Sequence, residues 1–88
     1  SIPDWGVTPF AREQGRDAAR TARELDDFNA CARGLAASRG VRFVDITPIS
    51  RRHPGLVAAD GLHPSAEQYA LWADAIAPAA RAALSRQP

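Results

Sequence analysis

Between two helical stretches lies one short apolar run, Val41-Arg42-Phe43-Val44-Asp45-Ile46, bounded by Gly40 and Pro48. Its β-branched and aromatic residues read as a strand. The sequence offers no second convincing strand, and Gly55-Leu56-Val57-Ala58 is the one weak candidate. A lone strand cannot satisfy its own backbone N–H and C=O groups, because both of its edges need a neighbour. The run therefore predicts a piece of a larger sheet whose other strands lie on another segment or chain. Helix, tight turn and strand in that order form the second half of a β-α-β unit, so the expected class is α/β.

The helix before the strand is predicted from about Asp17 to Arg39. Ala18, Ala22, Leu25, Phe28 or Asn29, Ala32 and Leu35 recur at three- and four-residue steps and mark the inward face. Arg16, Arg20, Arg23, Glu24, Asp27 and Arg33 take the other side, where opposite charges one turn apart support the helix. Gly40 stops it. Upstream, Ser1 to Pro9 is loop chemistry, with Thr8 and Pro9 as cap and first residue of a short helix. Downstream, Thr47 to Ala59 reads as a loop, with His53 facing solvent. A final helix follows His63, with Ser65 and Gln68 as a capping box and Tyr69, Trp72 or Ala73, Ile76, Ala80 and Leu84 at helical spacing. Trp72 is placed in the core. Pro78 is expected to break that helix near Ala77, and the tail from Ser85 to Pro88 to fray.

Composition narrows the classes. The 88 residues suffice for one small domain, and much of the 45% hydrophobic content is alanine, which predicts a thin core for a chain folding alone. All 11 basic residues are arginine, dispersed among 10 acids for a net charge of +1. They form a solvated mixed-charge face, and no aromatics interleave with them as a nucleic-acid binder needs. Cys31 is alone, so no intrachain disulfide is possible, and its place in the helical pattern predicts a small buried thiol. There is no membrane-length apolar run and no signal-like segment at Ser1. The compartment is left open.

Chemistry concentrates in Asp60-Gly61-Leu62-His63-Pro64-Ser65. Gly61 and Pro64 favour a turn, on which Asp60 can accept a hydrogen bond from one ring nitrogen of His63. The other nitrogen is then free to take a proton from a nucleophile, the base-and-orienter half of a hydrolytic triad. The same Asp-x-x-His also fits a surface ion pair or a helix start. A metal site from Asp60, His63 and His53 has too few ligands at usable spacing.

In this order, Ser-Ile-Pro-Asp-Trp with Thr-Pro-Phe, Asp-Phe-Asn, Val-Arg-Phe-Val-Asp-Ile, Asp-Gly-Leu-His-Pro-Ser and Tyr-Ala-Leu-Trp-Ala span nearly the whole chain. Together they resemble the carboxy-terminal part of a GDSL-type SGNH hydrolase, with Asp-Gly-Leu-His-Pro-Ser as the most specific element. The resemblance implies residues 1–88 as the C-terminal segment of a single three-layer α/β/α, flavodoxin-like domain, with one parallel strand and two main helices here. It implies ester hydrolysis through a serine acyl-enzyme, with no metal or organic cofactor, His63 as general base and Asp60 as its orienting carboxylate. The family's Gly-Asp-Ser motif, oxyanion-hole Gly and Gly-x-Asn-Asp block are absent and belong upstream of Ser1. The expected partner is thus an N-terminal segment of the same hydrolase carrying the nucleophilic serine and the oxyanion hole. The substrate is a small ester. Trp5 and Asp4 are candidates for the border of its cleft.

No serine of the chain itself sits in a nucleophile elbow. Ser65 reads better as a helix cap, Ser38 and Ser50 lie at helix and loop ends, and Ser1 has only its terminal position to recommend it. Asp45, at the carboxyl end of the expected strand, reads as a carboxylate bonding loop amides or as a ligand contact. The rival reading is a non-catalytic helical interaction module, or an inactive fragment, whose Asp-Gly-Leu-His-Pro starts a helix.

Overall fold

The computed structural model describes residues 1–85. A 3-10 turn, Trp5–Val7, leads into α1, Pro9–Glu13; α2 runs Ala18–Ser38, α3 Thr47–Arg52 and α4 Ala66–Ser85. Each start has a chemical cause. Thr8 Oγ1 accepts the Ala11 N–H at 3.2 Å with Pro9 opening α1, and Asp17 Oδ1 accepts the Arg20 N–H at 3.1 Å to open α2. At the other end of α2, Gly40 adopts φ +67°, which lets Val41 N–H reach Ala36 O at 2.8 Å and Gly40 N–H reach Ala37 O at 3.3 Å. That pair is a Schellman stop. Ser65 Oγ accepts the Gln68 N–H at 3.2 Å, but the Gln68 amide turns to His53 O at 3.0 Å. Only half of the expected capping box forms.

The α/β expectation is overturned. Among the described residues there is no sheet and no strand beyond an isolated antiparallel bridge, Val57 to Pro64. Residues 41–46 are not helical, yet they join no ladder. Their composition suits a strand, but strand stability comes from a partner, and the chain supplies none. The segment is instead held from the side, where Val44 O accepts from the Ser1 amino group at 2.8 Å and Ile46 N–H donates to Ser1 Oγ at 2.8 Å. The molecule is not the C-terminal portion of a three-layer α/β/α sandwich.

Smaller corrections have equally local causes. Thr47–Arg52, expected as loop, is helix α3, because Pro48 falls in the first turn where its missing N–H has no role. Pro78 does not end α4, which continues to Ser85. Pro78 and Asp74, the residue whose carbonyl loses its helical donor, lie on an exposed face of the helix. Cys31, expected to be a buried thiol, is exposed on α2. Of the tail expected to fray from Ser85 to Pro88, Ser85 is the last residue of α4, and residues 86–88 lie outside the described residues.

Packing is sparse. The buried apolar side chains are Ala11, Leu25 and Ile46, outnumbered by buried Asp4, Thr8, Asn29, Thr47, Ser50 and Gln68. The interior is therefore a hydrogen-bonded seam. Asn29 Nδ2 donates to Thr47 Oγ1 at 2.9 Å while its Oδ1 takes Ile2 N–H at 3.0 Å, and Ser50 Oγ takes Asp4 N–H at 2.9 Å. Arg51 ties α3 to Asp4 and to Asp26 of α2, both at 2.9 Å. The molecule measures 50 × 27 × 16 Å with a radius of gyration of 14.7 Å, against about 12 Å for a globule of this length. Faces predicted to point inward are open. Phe28 is 61% exposed, Leu84 69%, and Leu35, Tyr69 and Ile76 are exposed too.

Candidate functional site

The Asp60 loop is pinned at both ends. Ser65 N–H donates to Leu56 O at 3.1 Å, Ala58 N–H to His63 O at 2.7 Å and Gly61 N–H to Ala58 O at 2.9 Å. Gly61, at φ +75°, presents its carbonyl to Phe10 N–H at 3.1 Å, which sets the loop on α1. A Cβ there would sit 3.4 Å from Phe10 N, so a glycine suits both the dihedral and the contact. Within this frame Asp60 Oδ1 accepts two backbone N–H groups, Leu62 at 2.9 Å and His63 at 3.0 Å. Its Oδ2 accepts from His63 Nδ1.

The carboxylate is thus saturated with donors. The Leu62 N–H first, then the His63 ring, then the His63 N–H hold the Asp60 pKa down to about 2. With Nδ1 donating, Nε2 is the ring nitrogen that carries the free lone pair. The His63 side chain is 73% exposed. The expected Asp60–His63 pairing is present, and chemically it is a solvent-facing base with a fixed tautomer.

A nucleophile for that base is not found among the described residues. Ser65 Oγ caps α4, Ser38 Oγ donates to Leu35 O at 2.8 Å, and Ser50 Oγ donates to Thr47 O at 2.6 Å. Ser1 Oγ is tied to Asp45, Ile46 and Thr47. None touches His63. Asp45 bonds Ser1 Oγ at 2.8 Å, Thr47 N–H at 3.3 Å and Arg33 at 3.4 Å, the amide-bonding role. His53 ends α3, with its carbonyl committed to Gln68. No group of three or more His, Cys, Asp or Glu among the described residues is placed to hold a metal.

Trp5 and Asp4 line, together with Leu62, a cleft of about 60 Å³ between the 3-10 turn and the start of α4. Their roles differ. Asp4 is almost fully buried and structural: Oδ1 takes Gly6 N–H at 2.9 Å and Oδ2 pairs with Arg51. Trp5 is a partly exposed wall. Gln68 and Trp72 complete the cleft, and sequence reasoning assigned them only to a cap and a core. Their one-turn spacing on α4 was the available signal.

Compared with known proteins, the chain matches no family model, no curated protein and no solved structure. Together with the absence of any sheet among the described residues, this overturns the resemblance to the GDSL-type SGNH hydrolases. The Asp60–His63 geometry stands on its own, as a local arrangement without a family.

Proposed function

We propose that this chain is a helical interaction module that docks on a partner polypeptide through the open apolar faces of α2 and α4. The observation behind this reading is the imbalance, among the described residues, between three buried apolar residues and eight large apolar side chains left exposed. Scattered apolar residues are normal on a surface, but Phe28 with Leu35, and Tyr69 with Ile76, repeat at seven-residue spacing along one helix each. That is the pattern of helix faces awaiting cover. No described helix is long and apolar enough to cross a membrane; the cover in this reading is a protein partner. The experiment is affinity capture with the intact chain against a Phe28→Glu/Leu35→Glu variant and an Ile76→Glu/Leu84→Glu variant. Capture of one defined polypeptide, lost in a variant of unchanged helix content, is the expected outcome. Equal capture by all three chains sinks the reading.

A second reading rests on a different observation, the engaged Asp60–His63 pair. Here the chain lends a general base to a serine ester hydrolase whose serine and oxyanion hole lie on the partner. His63 Nε2 takes the serine proton and returns it to the leaving alcohol, while Asp60 keeps the tautomer. No cofactor is needed for such chemistry. The discriminating probe is a fluorophosphonate applied to the complex. Labelling of a partner serine, with His63→Ala lowering turnover of an aryl acetate by about three orders of magnitude or more, supports it. An unlabelled partner, or near wild-type turnover without His63, leaves the module alone.

A further inference from the structure

The cleft between the 3-10 turn and α4 has a feature that neither functional reading uses. Its walls are largely apolar, formed by Trp5, Val57, Leu62, Pro64 and the flank of Trp72. Two buried polar atoms belong to residues lining it, Gln68 Oε1 and Trp72 Nε1, and neither has a hydrogen-bond partner among the described residues. Gln68 is 3% exposed. Its amide nitrogen is already held by His53 O at 3.0 Å and Leu56 O at 3.5 Å, which fixes which end of the amide remains. The remaining pair is one acceptor and one donor, a helical turn apart on α4.

We propose that this cleft binds a small aliphatic alcohol. A hydroxyl donates one hydrogen bond and accepts others, so a single group can give its proton to Gln68 Oε1 and receive the Trp72 Nε1–H. An ether or ketone can only accept, and an ammonium can only donate. Asp4 lines the cleft, but both of its oxygens are engaged by Gly6 and Arg51, so its carboxylate does not recommend a cationic ligand. The volume of about 60 Å³ exceeds the roughly 10–15 Å³ that a cavity needs to hold one water. The surplus lies along apolar wall, where an alkyl stem fits and a second water would lack partners. Leu62 and Pro64 flank His63, so the bound stem lies against the loop that carries the base.

The test uses the full chain and three probes of equal heavy-atom count, namely 1-butanol, diethyl ether and n-pentane. Each is titrated while the indole N–H resonances of Trp72 and Trp5 are followed by NMR. Saturable movement of the Trp72 indole N–H with 1-butanol is expected. Binding should be weaker by about fivefold for the ether, which forfeits one hydrogen bond, and weaker again for pentane. Trp72→Phe should weaken 1-butanol by a similar factor. The wild-type probe series decides the matter even if that variant folds poorly. No saturable shift with 1-butanol, or equal affinity for all three probes, overturns the proposal. The first outcome would leave the polar pair to water and the second would leave an apolar crevice.

Discussion

Replacing Arg51 with alanine removes the cation from a carboxylate that has almost no solvent. The Asp4 side chain is 1% exposed and holds Arg51 Nε at 2.9 Å on one oxygen and Gly6 N–H at 2.9 Å on the other. The hydrogen bond that Arg51 donates to Asp4 is the leading cause of the raised Arg51 pKa. Burial works against it, and the Asp26 carboxylate adds to it. A hydrogen bond between charged groups in such a site contributes about 1.5–3 kcal/mol. The second arm, to Asp26, is 58% exposed and contributes at most about 1 kcal/mol. Arg51→Ala should therefore cost about 2–4 kcal/mol, and Asp26→Ala under about 1 kcal/mol. A chain of 88 residues has about 4–13 kcal/mol in total, and a core this thin belongs near the lower figure. The assay is urea unfolding followed by circular dichroism, on a double-mutant cycle that adds Asp4→Asn, which keeps an oxygen for Gly6 N–H. A coupling of about 1.5–3 kcal/mol between positions 4 and 51 is expected, and less than about 1 kcal/mol between 26 and 51. Coupling below about 0.5 kcal/mol for the first pair, or equal costs for Asp26→Ala and Arg51→Ala, would refute the reasoning.

Other expectations follow from named contacts. With its pKa lowered from 3.8 to about 2, Asp60 binds protons less readily folded than unfolded, so its stabilising contribution is complete above about pH 4 and fades as pH falls toward 2. A side-chain carboxyl titration should place its midpoint near 2, and a midpoint near 4 would contradict the donor-saturated loop. Gly6→Ala puts a Cβ 3.0 Å from two Thr21 side-chain atoms and should destabilise by about 1–3 kcal/mol. Gly34→Ala meets open space within α2 and should stabilise by about 0.5–1 kcal/mol; thermal melts of the two variants should move in opposite directions. Gly61→Ala, forced to φ +75° beside Phe10, should cost about 1–2 kcal/mol and broaden the His63 ring resonances as the loop loosens.

What the sequence made legible was local. Thr8 with Pro9, Gly40 after α2, and Ser65 before α4 marked helix ends because each acts within one turn of itself. Asp60 and His63 were legible for the same reason: three residues on a glycine turn leave few other geometries. Residues 41–46 misled because strand composition speaks only to the residues and pairing belongs to a neighbour. Alternation between Phe28 and Asn29 was settled in favour of the asparagine, which is buried by its bonds to Ile2 and Thr47. Contacts more than forty residues apart, such as Asp4 with Ser50 and Arg51, leave no period in the sequence. Gln68 was read as a cap residue, and its turn toward His53 depends on where α3 ends.

Amide hydrogen exchange on the isolated chain tests most directly whether these helices await a partner. Protection should be highest around Leu25, Asn29 and the Asp4–Gly6 turn, where the seam is buried. It should fall steeply along α4 from Ile76 to Ser85, a stretch with no residue buried. Addition of the captured polypeptide should then slow exchange in that same stretch or across Phe28–Leu35. Uniform protection of α4 at the level of α2 in the free chain, unchanged by the partner, would contradict a docking module.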